Sequence, residues 1–271
     1  MLAMVSAACF HRPMGVGKSA PSLVTCLQER GKEEELVVKF AGGCEAGNGS
    51  LIREAVAAMM AADLDLPVPE PFLVMVEEKF VTEIPEWNDR YRQAKRNAGA
   101  SIGWNFGSKK LPPGFTTILK GRRIPPVLKP TAAEILAFDV FIANFDRTVA
   151  NPNCLSNGTE FAIFDHELAF HTKSILFWKP PWEKDAISFP KGQPDNIRHV
   201  FMEELRGSEP DLERLAGAFD VLTDARLSEY QKALPPEWIG DGSDIGGILE
   251  YVGSLRRNID LAISNLKKAL Q

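Results

Sequence analysis

Apolar positions change their spacing part-way along the chain. In the first hundred residues they come in short β-prone runs, Leu2 to Phe10, Leu23 to Leu27, Leu36 to Phe40 and Phe72 to Glu77, separated by Gly-, Pro- and charge-rich breaks. One helix is expected among them, from about Ser50 as N-cap to Leu64, closed by the prolines of Leu66-Pro-Val-Pro-Glu-Pro71. Residues 79–100 are polar and helix-prone. Residues 101–118 mix Gly, Pro and aromatics and read as a crossing between two lobes, with Phe106 and Gly107 as candidate adenine contacts. From Pro130 the period becomes helical. Thr131 and Glu134 form a capping-box pattern ahead of a helix over 132–143. Further helices are expected near 196–206, 210–219, 223–234 and 244–269. The pattern predicts an α+β chain in two lobes: residues 1–110, β-rich around one main helix, and residues 111–271, mostly helical.

Two charges break the apolar pattern of the first lobe. Lys39 ends the β-prone run Leu36-Val-Val-Lys-Phe40. Glu54 shares a helical stripe with Leu51, Ala58 and Ala61. A carboxylate on a buried stripe needs a cationic partner, and Lys39 is the natural one. A strand lysine held by a helix glutamate is the pair that orients ATP phosphates in kinases.

The richest stretch is 138–170, FDVFIANFDRTVANPNCLSNGTEFAIFDHELAF. An apolar lead-in ends at Asn144, Asp146-Arg147 follows, and Asn151 lies five residues after Asp146. A turn at Asn157-Gly158 precedes the apolar run Phe161 to Phe164, which delivers Asp165. Asp-x-x-x-x-Asn, a hairpin and a strand-terminal Asp is the layout of a kinase catalytic and metal-binding loop. Asp146 can orient or deprotonate an attacking hydroxyl. Asn151 and Asp165 offer hard oxygen donors suited to Mg²⁺.

These residues resemble the HipA-like kinases, in particular their small stand-alone bacterial branch. The family pattern, N-x-D-R, then N-P-N-L-L, then an apolar strand and D-H, is matched by Asn144-Phe-Asp146-Arg147, Asn151-Pro-Asn153-Cys-Leu155 and Ile163-Phe-Asp165-His166. Leu64-Asp-Leu-Pro-Val-Pro-Glu70 is similar to a second family phrase. The resemblance implies a protein-kinase-like fold, whose core phosphoinositide kinases also share. It implies phosphate transfer from ATP to Ser or Thr, with Asp146 as the catalytic residue and Asn151 and Asp165 as Mg²⁺ ligands. Arg147 supports the loop or the phosphate. The departure from D-F-G at Asp165-His166-Glu167 leaves regulation of that loop open.

Gly15-Val-Gly17-Lys18-Ser19 is not a Walker A motif, because Arg12 stands where its first glycine belongs. It reads as a glycine turn between two strands. The resemblance places the family's phosphate loop here, with Gly15, Gly17 and Ser19 as nucleotide contacts. Residues 174–194, rich in Trp, Pro and Lys, offer Phe177, Trp178 and Trp182 as candidate acceptor contacts or as core anchors.

Composition narrows the alternatives. A net charge of −5 gives no support for a nucleic-acid partner. Four scattered cysteines without a C-x-x-C suggest free thiols in the cytoplasm. No apolar run reaches the roughly 18–20 residues of a membrane span. The opening MLAMVSAACF lacks the basic start of a signal peptide and reads as a strand. The partners expected are ATP and an unidentified protein or small-molecule acceptor. The alternatives are a non-catalytic nucleotide-binding pseudokinase and a kinase of small molecules or lipids.

Overall fold

The β-prone runs of the first hundred residues close into a barrel. The computed structural model describes residues 2–15, 19–29, 31–121, 123–172, 175–240 and 243–271. It divides into two units: Met1–Met59 with Pro69–Pro112 and Tyr230–Asp244, and Met60–Val68 with Pro113–Glu229 and Ile245–Gln271.

The barrel of the first unit is built from β1 (Ala3–Pro13), β2 (Ser22–Leu27), β3 (Glu33–Lys39), β4 (Pro71–Val76) and β5 (Gly103–Lys109), in the order β1-β2-β3-β5-β4. The parallel pair of β1 and β4 closes it, and the other pairings are antiparallel. Alternation decides which side chains point inward: Val24 and Cys26, Leu36 and Val38, and Phe72, Val74 and Val76 share one core. The helices α1 (Asn48–Asp63), α2 (Glu78–Glu83) and α3 (Asp89–Gly99) follow β3 and β4. Phe80 of α2 and Ala98 of α3 join the barrel core.

Residues 103–109 are not a crossing segment. They form the strand between β3 and β4, and Phe106 sits opposite Lys39 and Leu73. Phe106 is buried. A Cβ at Gly107 would come within 2.7 Å of Val74 Cγ2, so this glycine lets neighbouring strands pack closely. Phe106 shares a face of the sheet with Lys39 and Leu73, and Gly107 turns the other way, against Val74 and Leu36. Ser50 is likewise not an N-cap. It lies in the first turn of α1, buried, and its Oγ accepts from the Ala46 amide at 3.3 Å.

The second unit carries a three-stranded antiparallel sheet, β6 (Thr116–Thr117), β7 (Cys154–Ser156) and β8 (Phe161–Ile163). It also carries α4 (Lys129–Phe141), α5 (Met202–Leu205), α6 (Glu213–Ala218), the first part of α7 (Asp224–Ala233), α8 (Ile245–Arg257) and α9 (Ile259–Leu270). α4 is buried from Ala132 through Asp139 and again at Phe141. It starts earlier than the capping-box pattern predicts, because Pro130 fits the first turn, where no N–H is needed. Glu134 does not cap. Its carboxylate takes a two-pronged ion pair from Arg214, at 2.7 and 2.6 Å.

Two other helix expectations change. Of the helix expected near 196–206 only Met202–Leu205 is helical; residues 195–201 are turns whose backbone finds partners in the 146–151 loop, including a Thr148–His199 bridge. The expected helix over 244–269 breaks at Asn258, whose side-chain amide donates to the Ser254 carbonyl at 2.9 Å before α9 restarts. Among the described residues no helix is long and apolar enough to cross a membrane.

Candidate active site

In the first unit, the last residue of β3 faces the second turn of α1. Lys39 Nζ donates to Glu54 Oε2 at 2.7 Å, with both side chains largely out of solvent. The pair follows from two local patterns. Strand alternation puts Lys39 on the face opposite the inward-pointing Leu36 and Val38, and helical spacing puts Glu54 on the same face as Leu51 and Ala58, both buried. A buried lone charge is costly, so each group fixes the other.

The glycine turn joins β1 to β2 and is anchored at both ends. Met14 N–H bonds the Pro21 carbonyl at 2.6 Å. Arg90 of α3 donates to the Gly15 carbonyl at 2.5 Å, and Asn97 Nδ2 to the Ser19 carbonyl at 3.4 Å. Gly15 has φ +58°, a conformation glycine adopts without strain. Gly17 lies outside the described residues.

In the second unit, the predicted loop is organised by Arg147, which is fully buried. All five of its N–H groups have acceptors. Nε and Nη2 reach the two oxygens of Asp139 at 2.6 and 3.2 Å. Nη2 also donates to His166 Nε2 at 2.9 Å. Nη1 donates to the carbonyls of Asn153 and, at 3.1 Å, Phe164. Arg147 therefore holds the loop and cannot touch a phosphate. It joins the carbonyl before Cys154 to the carbonyl before Asp165, and the Phe164 amide returns a bond to Asn153 O at 3.2 Å. The Ile163 amide is fixed to the Pro67 carbonyl at 2.8 Å. Asp165 itself sits at φ +63°, a conformation that costs a non-glycine residue energy and that surrounding contacts must impose.

Asp146 is half-buried, and its Oδ2 accepts from Asn151 Nδ2 at 2.9 Å and from Asn153 Nδ2 at 3.0 Å. The Asn151 amide nitrogen faces Asp146, so its carbonyl oxygen points away from that carboxylate. An amide oxygen there and the Asp165 carboxylate are donors of the type that Mg²⁺ takes. Asp146 and Asn151 are thus in direct contact, and Asp165 is tied to their loop through Arg147 and Asn153.

The hub of this network was not evident from the motif. Asp139 accepts four hydrogen bonds: from Arg147 twice, from Asn144 Nδ2 at 2.8 Å and from His199 Nε2 at 3.0 Å. Burial alone would raise its pKa. The Arg147 charge and the His199 bond outweigh burial and hold the carboxyl well below its usual range. The available signal was an acid within an apolar helix eight residues before an arginine, the same kind of anomaly that marks Glu54. His199 comes from the turn segment whose backbone pairs with the loop: Val149 N–H to Arg198 O and Ala150 N–H to Asp195 O, each 3.0 Å.

The segment after Asp165 divides in two. Trp178 and Trp182 pack on Tyr251 of α8, both with ring centroids at 5.6 Å. Asn265 of α9 donates to the carbonyls of Pro181 and Glu183 at 3.0 and 2.9 Å. The two tryptophans are anchors. Phe177 points outward, 88% exposed. Burial pushes the Cys26 and Cys154 thiols up to about 12, so neither is a nucleophile.

A family model described as HipA-like kinase matches residues 11–177. The chain belongs to the HipA-like kinases. The match takes in the glycine turn, Lys39, Glu54, the whole 138–170 stretch and Trp178's approach up to Phe177. Among solved structures, the Helicobacter pylori proinflammatory kinase CtkA is similar over the full length of both chains, with 15% identity and a TM-score of 0.51. At that identity the likeness concerns the fold. No curated protein matches this kinase in sequence.

His199 gives the network a pH signature. Its Nε2–H donates to Asp139, and Nδ1 accepts from the Phe201 amide at 3.2 Å. The bond accepted at Nδ1 requires neutral imidazole, and burial lowers the pKa by more than the Asp139 contact raises it. The unfolded chain, with a histidine pKa of about 6.5, takes up this proton first. The contribution of His199 to stability is therefore complete above about pH 6.5 and is lost as pH falls through the folded-state pKa. Urea unfolding from pH 7.5 down to 5 should show this loss, and His199→Gln, which keeps an N–H donor but does not titrate, should flatten it.

Proposed function

We propose that this kinase transfers the γ-phosphoryl group of ATP to the hydroxyl of a protein Ser or Thr, with Mg²⁺ as cofactor. One observation supports the reading most: a single buried guanidinium, Arg147, ties the loop of Asp146 and Asn151 to the strand end that carries Asp165. Phosphoryl transfer asks the protein chiefly for positioning and charge stabilisation, and this network supplies a rigid frame for three oxygen-bearing side chains.

In this reading Asp146 accepts a hydrogen bond from the acceptor hydroxyl, aims its oxygen at the γ-phosphorus and takes up its proton as the new P–O bond forms. The bond to the β–γ bridging oxygen breaks, and ADP leaves. The amide bonds from Asn151 and Asn153 fix the Asp146 carboxylate in one rotamer. Asn151 and Asp165 would hold the metal, and Mg²⁺, when bound, neutralises charge on the β- and γ-phosphate oxygens. Lys39, fixed by Glu54, pairs with ATP phosphates. Backbone amides of the turn at Gly15, Gly17 and Ser19 cover them. Residues 1–110 then act as the nucleotide lobe and 111–271 as the catalytic lobe of a two-lobed protein-kinase-like fold.

The test is transfer of label from γ-labelled ATP, with Mg²⁺, to the protein itself and to Ser/Thr peptides. Lys39→Met should lower the rate by about 10²–10³, the scale for losing one transition-state cation or donor. Neither ATP turnover nor transfer by the wild type, in the presence of calorimetrically measured ATP binding, would instead make it a pseudokinase.

A further inference from the structure

Beside the catalytic loop the second unit has a cavity of about 170 Å³. Its apolar wall is Ile118, Leu119, Ile124, Val149, Val200 and Phe201. Its size is well below the roughly 300–1,000 Å³ of small-molecule sites, so one side chain suits it better than a nucleotide or metabolite. Both cations at its rim are ion-paired, and the acids Glu203 and Glu204 stand beside them. Lys120 and Arg198 both bond Asp195, at 2.5 and 2.7 Å, and Arg198 also reaches Glu203 at 3.3 Å. A rim so paired offers little to an anion.

Two placements connect this cavity with the chemistry. Val149 is three residues from Asp146, so their Cα atoms lie within about 11 Å. Large exposed apolar side chains also border the same loop. Phe145, 53% exposed, immediately precedes Asp146; Ile197, 57% exposed, lies in the segment paired with the loop; and Leu119, 64% exposed, is in the cavity wall itself. An apolar hollow beside a reaction centre offers a bound polypeptide a place for one side chain.

We infer that the cavity receives an apolar side chain of the acceptor polypeptide, within about three residues of the phosphorylated Ser or Thr. The spacing follows because an extended peptide advances about 3.3 Å per residue. This rests on the phosphotransfer reading above and adds the substrate class: a polypeptide whose acceptor hydroxyl has a Leu, Ile, Met or Phe close by in sequence.

The full chain is given γ-labelled ATP, Mg²⁺ and a Ser/Thr peptide library randomised at one position at a time. Parallel reactions replace the peptides with phosphoinositide vesicles. Wild type should prefer large apolar residues to Asp at one position within three of the acceptor, by roughly ten- to a hundredfold, the discrimination one apolar pocket provides. Leu119→Glu, at an exposed site that folding tolerates, should abolish that preference. Val221→Glu, exposed and outside the cavity wall, should keep it. Labelled peptides with a flat profile, or a preference that survives Leu119→Glu, overturn the inference and leave the kinase reading standing. ATP turnover with labelled lipid and no labelled peptide overturns it too. No ATP turnover under any condition overturns both.

Discussion

Asp146→Asn should reduce phosphoryl transfer by about 10²–10⁴, the range for losing a positioned general base, while leaving the protein folded. The substitution keeps the shape of the side chain and removes its charge. The surroundings make it a clean test, because Asp146 is half-buried and is not part of the Asp139–Arg147 network. It accepts amide bonds from Asn151 and Asn153, and an asparagine oxygen can still accept them. Thermal unfolding should therefore move by a degree or two at most, on the scale of an ordinary partly exposed substitution of about 0.5 kcal/mol. Steady-state kinetics should show the loss in kcat with the KM for ATP little changed, because the role assigned to Asp146 lies with the acceptor and not the nucleotide. A variant that keeps more than a tenth of wild-type kcat would remove Asp146 from the chemistry and leave Asn151 and Asp165 without a partner in the proposed mechanism.

The sequence carried this site unevenly, and the reasons are physical. Lys39 and Glu54 could be matched because each violates a periodic pattern, one on a strand and one on a helix, and buried opposite charges have few ways to be satisfied. The 146–165 stretch stands out because Asp146, Asn151 and Asp165 have the spacing that phosphoryl-transfer chemistry asks for. Asp139 breaks the pattern of α4 in the same way, yet its partners Arg147, Asn144 and His199 arrive from a loop and from a segment sixty residues on. No local spacing predicts that convergence. The fold was less legible wherever tertiary contacts decide. Residues 103–109 look like a loop, with Gly103, Asn105 and Gly107, but they make a strand because β3 and β4 offer ladders on both sides. Gly107 is then required by the approach of Val74, not by a turn. The Thr131–Glu134 pattern imitates a cap, but Glu134 is drawn to Arg214, eighty residues away.

Arg147→Met should be the most destabilising single change in the second unit, by about 3–5 kcal/mol, because it leaves the Asp139 carboxylate buried without its counter-ion. Asp139→Leu should cost a similar amount by stranding the guanidinium. In many proteins a buried ion pair can be replaced by two apolar residues at little cost, and the double variant asks whether that holds here. It should not. Only part of the Arg147 fork serves Asp139. The rest holds the carbonyls of Asn153 and Phe164 and the ring of His166, and each buried acceptor left without a donor costs about 1–3 kcal/mol. Asn144 and His199 also lose their acceptor when Asp139 is removed. The double variant is therefore expected to stay several kcal/mol below wild type in urea unfolding. Its residual activity should fall with it, because the carbonyls released are those that fix the Asn151–Asn153 turn and the backbone entering Asp165. A double variant restored to wild-type stability but still inactive would confine the fork to positioning the loop. One restored in both would mean that the contacts of Arg147 outside the Asp139 pair support neither fold nor chemistry, and the frame assigned to Asp146 and Asp165 would have to come from elsewhere.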